Sequence, residues 1–163
     1  MKKKVLIVCL FLAFLIFGIV LSRCLQKPQS KDKIYMRFCE ARGDIQIVVD
    51  FFLSSDFEAI YIKGVNVPVF ADFTYIELEG TVADAVRSLM KEHKFIRLSK
   101  HSDTNTLVFQ MWTDKMECEC GVLYAINNDM VPSVEYLTLL DPLPESGWYY
   151  YVSDYNEWRR NNT

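Results

Sequence analysis

The sequence predicts an α+β protein in which an N-terminal membrane helix precedes one domain with two helices packed on one face of a four- or five-stranded, mainly antiparallel sheet. Three observations predict this fold. An uncharged apolar run lies near the N-terminus, two later segments repeat their apolar residues at helical spacing, and several short segments alternate apolar and polar residues as strands do. The composition, with 51% apolar and 24% charged residues, is typical of a packed globular domain.

Residues 1–25 are predicted to form a transmembrane signal-anchor. Lys2, Lys3 and Lys4 precede the apolar run Val5–Leu21, and polar residues follow it, which is the order found in secretory signals and signal anchors. As a helix this run is about 26 Å long, at the lower end of what crosses a bilayer. The pattern favours a single-pass cell-membrane protein with the C-terminal domain outside the cytoplasmic membrane.

Two alternatives for this segment stay open. The sequence Val20-Leu21-Ser22 only loosely matches the small residues that signal cleavage requires, so we expect residues 1–22 to be retained rather than cleaved. Cys24 follows a hydrophobic and a small residue, as a lipidated cysteine does, but Arg23 stands where that motif has Gly or Ala. Lipidation of Cys24 is therefore the less favoured alternative.

The domain is expected over residues 34–153, after a polar tether at residues 26–33. Its first helix is predicted over Phe38–Phe52, where apolar residues recur at spacings of three, four and seven; alternatively, Asp44 caps a shorter helix. The second helix is predicted over Thr81–Lys94, where five apolar residues form one stripe.

The strands are predicted from alternation and from the turn-forming residues between them. The segment Val67–Phe70 is either an edge strand or an extended loop, because Pro68 cannot donate a hydrogen bond to a neighbouring strand. Residues 154–163 are expected to form a polar C-terminal tail. The predicted strands are Glu58–Lys63, Phe95–Lys100, Thr106–Trp112, Glu119–Ile126, Val134–Leu140 and Trp148–Val152.

The charge of the domain restricts its partners. From residue 34 onward, eleven Lys and Arg residues stand against twenty Asp and Glu residues, a formal charge of −9. Such a domain repels the phosphate backbone, and it has no cluster of arginines, so we expect no nucleic-acid partner. The same charge favours a basic protein partner.

Three cysteines lie in the predicted domain: Cys39, Cys118 and Cys120. Cys118 and Cys120 are two residues apart on a predicted strand, so their side chains face the same side, but a bond between them would close a very strained ring. One of them could pair with Cys39, or the three could form a redox or metal site completed by His93 or His101. The alternative that we favour is that they are buried or weakly exposed thiols.

No pattern in the chain predicts catalysis. His93 and His101 are the only histidines, and the sequence has no nucleophile elbow, no zinc-binding helix motif and no glycine-rich phosphate loop. Glu77 and Glu79 alternate like a carboxylate pair, but solvated carboxylates of this kind are common at strand ends. We therefore expect no catalytic residue, no metal and no cofactor.

The segment Gly147-Trp148-Tyr149-Tyr150-Tyr151 is the most aromatic part of the chain. In a strand, Tyr149 and Tyr151 face one side of the sheet, while Trp148 and Tyr150 face the other side. One pair could remain exposed as a protein-binding platform, because tyrosine and tryptophan are enriched at interfaces. The alternative, which we favour, is a strand of high β-propensity that closes the core.

The chain resembles a diffuse group of small, membrane-anchored α+β proteins of Gram-positive bacteria that have no established activity. The resemblance is carried by Gly121-Val122-Leu123-Tyr124, by Pro132 and by Gly147-Trp148-Tyr149-Tyr150, within residues 38–151. It implies an N-terminal membrane segment followed by an α+β domain, and it implies no catalytic residue.

These observations lead to one functional hypothesis with two alternatives. The hypothesis is a membrane-tethered, non-enzymatic protein-binding domain exposed outside the cytoplasmic membrane. The first alternative is an immunity-like inhibitor of a basic toxin, which the acidic domain would attract at long range. The second alternative is an envelope enzyme, either a hydrolase or a thiol oxidoreductase.

Overall fold

A computed structural model describes residues 28–64, 69–72, 74–101, 103–114, 118–127 and 130–162. The described residues form helices and strands in the chain order α1, α2, β1, β2, β3, α3, β4, β5, β6, β7, β8, α4. The helices are α1 Lys31–Glu40, α2 Arg42–Ser54, α3 Gly80–Lys91 and α4 Tyr155–Asn162. The strands are β1 Ala59–Ile62, β2 Val69–Ala71, β3 Thr74–Ile76, β4 Arg97–His101, β5 Thr106–Thr113, β6 Cys118–Ala125, β7 Leu137–Pro142 and β8 Trp148–Asp154.

The strands of the described residues form one sheet in the order β3-β2-β1-β4-β5-β6-β8-β7. All neighbouring strands are antiparallel. The longest pairings join β5, β6 and β8, and β4, β5, β6 and β8 lie at the centre of the strand order. Side chains of paired residues point to the same face, so the register determines which side chains meet on each side.

The main core lies between one face of the sheet and the helices α1, α2 and α3. Each helix presents an apolar stripe to this core, as helical spacing requires. The sheet contributes the alternate residues of its central strands, such as Leu98, Phe109 and Val122. The helical residues of this core are Ile34, Phe38, Ile45, Val48, Val49, Phe52, Ala83, Ala85, Val86, Leu89 and Met90.

A smaller apolar cluster lies on the opposite face of the sheet. Val108, Leu123 and Tyr151 form its buried centre. The segment before β7 and β7 itself cover this centre with Val134, Leu137 and Leu140. Only part of this face is therefore covered by apolar packing, and the remainder is open to solvent.

The predicted α+β class is confirmed, but the predicted sheet of four or five strands is wrong, because the described residues form eight strands. The strand β2 overlaps the segment Val67–Phe70, for which the sequence left an edge strand and a loop open, and β3 has three residues, too few for alternation to be recognised. The strand β2 forms because β1 offers an antiparallel edge, on which Ile60 pairs with Ala71, and β3 forms against β2. Long-range pairing rather than local pattern decides these two strands.

The predicted number of helices is also wrong. The predicted helix Phe38–Phe52 is divided at Ala41, whose backbone leaves helical geometry while its N–H still donates to Arg37 O at 3.1 Å. The described C-terminal residues form α4, Tyr155–Asn162, where the sequence predicts a polar tail with at most one helical turn. Asp154 caps this helix, since its Oδ1 accepts from the N–H of Glu157 at 3.0 Å.

Gln29 lies in the segment predicted as a tether, and it is hydrogen-bonded to the folded domain. Its carbonyl oxygen accepts a hydrogen bond from Tyr150 Oη at 2.8 Å, and its side-chain oxygen accepts one from Arg37 Nη2 at 3.2 Å. Among the described residues, no helix is long and apolar enough to cross a membrane. The predicted span Val5–Leu21 lies outside the described residues.

A close approach between β5 and β6 requires glycine at position 121. The ladder has a bulge between Gln110 and Trp112, and Gly121 pairs with Gln110 beside it. A Cβ at position 121 would overlap the carbonyl oxygen of Phe109 and lie 3.0 Å from Gln110 Cα. Both neighbours are backbone atoms of a central strand, so they cannot move away without breaking the ladder.

We expect Gly121→Ala to lower the free energy of unfolding by about 3 kcal/mol or more, because backbone must be displaced in the middle of the sheet. The matched control is Gly43→Ala, since no atom lies within 4 Å of a Cβ at this helical position. That substitution should raise stability by about 0.5–1 kcal/mol. Urea unfolding of both variants measures the difference, and similar midpoints would contradict the close approach at Gly121.

Candidate functional site

A trough of about 1420 Å³ opens on the face of the sheet opposite α1, α2 and α3. One wall carries Tyr61 and His101, and the other wall is the segment 133–136. The floor consists of side chains that alternate with core residues along β4, β5 and β6. The main floor residues are Arg97, Val108, Gln110, Thr113 and Glu119.

An ion pair crosses the floor of the trough. Arg97 Nη2 donates to Glu119 Oε1 at 2.9 Å and to Glu119 Oε2 at 3.2 Å. The two residues lie on β4 and β6, so the pair bridges over β5, where Gln110 is buried between them. The side chains of Arg97 and Glu119 are 33% and 21% exposed, so both are partly shielded from water and still reachable from the trough.

The hydroxyl of a buried tyrosine on β8 is hydrogen-bonded to the carboxylate of this pair. Tyr151 Oη donates to Glu119 Oε1 at 3.3 Å. Burial, together with the charge of Glu119, raises the pKa of Tyr151 well above its usual value, so its hydroxyl stays protonated as a donor. Arg97 Nε is buried without a hydrogen-bond partner among the described residues. The floor therefore combines a fixed acceptor with a guanidinium that is only partly satisfied.

One wall of the trough is organised around a half-buried imidazole. His101 Nδ1 lies 3.3 Å from Tyr61 Oη, and His101 Nε2 lies 3.1 Å from Ser99 Oγ. Burial lowers the pKa of His101, and Arg97 lowers it further, while Asp103 opposes the shift. The neutral ring has one donor and one acceptor nitrogen, which suits two hydroxyl partners. Ser99 is fully buried, so its hydroxyl positions the ring and does not reach the trough.

The opposite wall is held by contacts to β8 and α4. Ser153 Oγ donates to Glu135 O at 2.6 Å, and the N–H of Asp154 donates to Tyr136 O at 3.0 Å. The ring of Tyr136 packs edge-on against Tyr155 and Trp158, with centroids 4.9 Å and 5.3 Å apart. The C-terminal helix thus positions this wall.

The four aromatic residues predicted as a possible platform lie within the two apolar clusters. Trp148 is 8% exposed and packs on Phe38 at a centroid distance of 4.7 Å, within the core beneath α1. Tyr150 lies on the same side and is buried, while Tyr151 is fully buried on the opposite face. Tyr149 is half-buried beside Tyr151. Of these four, only Tyr151 reaches the trough, through its hydrogen bond to Glu119.

The three predicted cysteines do not meet in one site. Cys39 is exposed on α1, whereas Cys118 and Cys120 are buried on β6, and all three are free thiols. Burial raises the pKa of Cys118 to about 12 and that of Cys120 to about 11, so both stay protonated at neutral pH. Within the described ranges, no group of three potential metal ligands is found.

The trough was not predicted from the sequence. A signal was nevertheless present, because polar residues recur at every second position of central strands: Arg97, Ser99 and His101 on β4, and Glu119 on β6. Alternation of this kind indicates that one face of a strand is solvated. It does not show that the facing residues form a concave site, which depends on the segment 133–136 beside them.

Comparison with known proteins finds no family model, no curated protein and no solved structure that matches the chain. The function is therefore inferred from the trough, the charge distribution and the attachment of the domain.

The lowered pKa of His101 predicts that the stability of the folded protein depends on pH. Because its pKa is lowered in the folded state, the unfolded chain takes up a proton first as the pH falls. The protein should lose stability as the pH falls below the unfolded value of about 6.5. The midpoint temperature of thermal unfolding should fall more between pH 7.5 and pH 5.5 for the wild type than for His101→Gln. Equal falls in both proteins would contradict the buried neutral ring.

The cysteines should differ in reactivity in the folded protein. With iodoacetamide at pH 7.5, Cys39 should be alkylated much faster than Cys118 and Cys120, because it is exposed and they are buried and protonated. Peptide mapping by mass spectrometry measures each site separately, and the same reaction in 8 M urea is the control. Rapid alkylation of Cys118 in the folded protein would contradict the burial of this thiol.

Proposed function

We propose that this chain is a membrane-tethered, non-enzymatic protein-binding domain, displayed outside the cytoplasmic membrane, whose binding site is the trough. The observation that carries this proposal is a concave surface on the uncovered part of the sheet, with the half-buried pair of Arg97 and Glu119 at its centre. A concave surface with a few polar groups fixed by their neighbours is the general form of a binding site.

The state of the nucleophilic groups supports binding over catalysis. Cys118 and Cys120 are protonated by burial, and the hydroxyl of Ser99 lies beneath the surface. His101 is the histidine of the trough, and both of its nitrogens are within hydrogen-bond distance of hydroxyl groups. Ser99, the serine that His101 contacts, is buried, so this pair presents no serine nucleophile to a substrate in the trough.

The attachment at Gln29 supports a domain that stays close to the proposed membrane anchor. Seven residues, 22–28, separate the predicted span Val5–Leu21 from Gln29. Fully extended, seven residues reach at most about 25 Å. The partner would therefore be another component at the membrane surface, or a soluble protein that arrives there.

The distribution of charge favours a basic partner, and with it the immunity-like alternative. Residues 43–86 hold eight Asp and Glu residues, and Lys63 is the only basic residue among them. This segment forms α2, the strands β1 to β3 and the start of α3, at one end of the sheet. Concentrated charge of this kind accelerates the encounter with a cationic protein. The exposed members are Asp50, Asp56, Glu58, Glu77, Glu79 and Asp84.

Site-specific photo-crosslinking in the native membrane tests the proposal. A benzophenone amino acid replaces Tyr61, which lines the trough and is 37% exposed. The matched control replaces Tyr75, an aromatic residue that is 71% exposed on the edge strand β3 outside the trough. We expect one protein to be crosslinked in stoichiometric amounts from position 61 and not from position 75.

Two other crosslinking results would contradict the trough as the binding site. A basic protein crosslinked from position 75 alone would place the interface on the acidic end of the sheet and favour the immunity-like alternative. No specific crosslink from either position would contradict a protein-binding function for this face of the domain.

A further inference from the structure

We infer that the trough binds an extended peptide segment of the partner, with the N–H and C=O of one peptide residue over Arg97 and Glu119 and its apolar or aromatic side chains against Tyr61 and Tyr136. This inference rests on the proposed function, because it specifies which part of a protein partner enters the trough. Three properties of the trough support it.

The first property is the hydrogen-bonding character of the floor. Arg97 has donors left over, since only Nη2 is bonded to Glu119 among the described residues. Glu119 has acceptor capacity left over, because each carboxylate oxygen has more than one lone pair. A donor and an acceptor therefore lie side by side with no net charge. In an extended peptide the N–H and C=O of one residue point to the same side, so that residue offers the complementary donor and acceptor without adding charge, whereas a free carboxylate or ammonium group would match only one of the two.

The second property is the size of the trough. At about 1420 Å³ it exceeds the range of about 300–1,000 Å³ that is usual for small-molecule pockets. Its lining extends from Arg97 on β4 to Ser153 on β8, which is three strand spacings. At about 4.8 Å each, these spacings give about 14 Å, and four to five extended residues at about 3.3 Å each span that distance.

The third property is the chemistry of the walls. Tyr61 and Tyr136 stand on opposite walls, and Tyr61 offers an exposed ring. Tyr136 is held in place by Tyr155 and Trp158, so its position costs little additional ordering on binding. A peptide that crosses the strands from β4 to β8 starts beside one wall and ends beside the other, so side chains near its two ends can contact Tyr61 and Tyr136 while the main chain between them lies over the polar centre.

The test selects peptides on the full-length protein held in lipid nanodiscs. The probe is a displayed library of random linear dodecapeptides, and the dissociation constant of the most enriched peptide is measured after synthesis. We expect enrichment of peptides with two aromatic or apolar residues about three to four positions apart, at the two ends of the stretch that spans the trough. The double variant Arg97→Met/Glu119→Gln should weaken binding by about tenfold or more, because it removes a charged donor and a charged acceptor.

A matched control has the same chemistry outside the trough. Arg87 and Asp84 form an exposed ion pair on α3, so Arg87→Met/Asp84→Asn removes a similar pair without altering the floor. Its affinity for the peptide should stay within about twofold of the wild type. Tyr61→Ser tests the wall independently, since its ring is partly exposed and its loss leaves the floor in place; it should also weaken binding.

The remaining outcomes separate this inference from the proposed function. If no linear peptide is enriched while position 61 still crosslinks to a protein, the partner presents a folded surface; the inference is then wrong and the proposed function stands. Peptides whose binding is insensitive to both trough variants would also overturn the inference. If a glycan array yields a ligand that depends on Arg97 and Glu119, and neither peptide nor protein binds, both proposals are wrong.

Discussion

The pairing of β5 with β6 is the constraint on which the rest of the structure depends, because it assigns the central side chains to the two faces of the sheet. The bulge after Gln110 adds one residue to β5, so that Glu119 pairs with Thr113. In a regular ladder Trp112 would be the partner of Glu119, and its ring would lie over the trough. The bulge instead lets Met111 and Trp112 both pack toward the main core. Gly121 permits the close backbone approach beside the bulge.

The small apolar cluster on the trough side of the sheet holds the polar residues of the trough floor in place. Tyr151 has its ring in the small cluster with Val108 and Leu123, and its hydroxyl bonds to Glu119. The carboxylate is thus fixed from two sides, by Arg97 within the floor and by a hydroxyl that burial keeps protonated. Fixed partners of this kind lose little entropy when a ligand binds, which makes a half-buried ion pair better suited to recognition than to stability.

Local pattern was sufficient for the longer elements and insufficient for those that depend on distant partners. The predicted helix at Thr81–Lys94 and the structural helix α3 overlap over most of their length, because one strong apolar stripe defines them. The strand β2 forms against the edge of β1 and β3 forms against β2, while α4 depends on a cap and on stacking against Tyr136. The trough was beyond prediction for the same reason. Arg97 and Glu119 are far apart in sequence, and a bulge that no composition reveals lies in the strand between them.

The order of strands also separates the attachment point from the concentrated negative charge. Gln29 is bonded to Tyr150 on β8, whereas the acidic segment 43–86 contributes β1 to β3 at the other end of the sheet. In the proposed anchored state, the acidic end is therefore the part of the sheet farthest from the tether. A basic partner would be attracted there first and would reach the trough across the wall that Tyr61 and His101 form. Long-range attraction and short-range recognition would then act on neighbouring surfaces. The attraction would govern the rate of association, and the recognition would govern the lifetime of the complex.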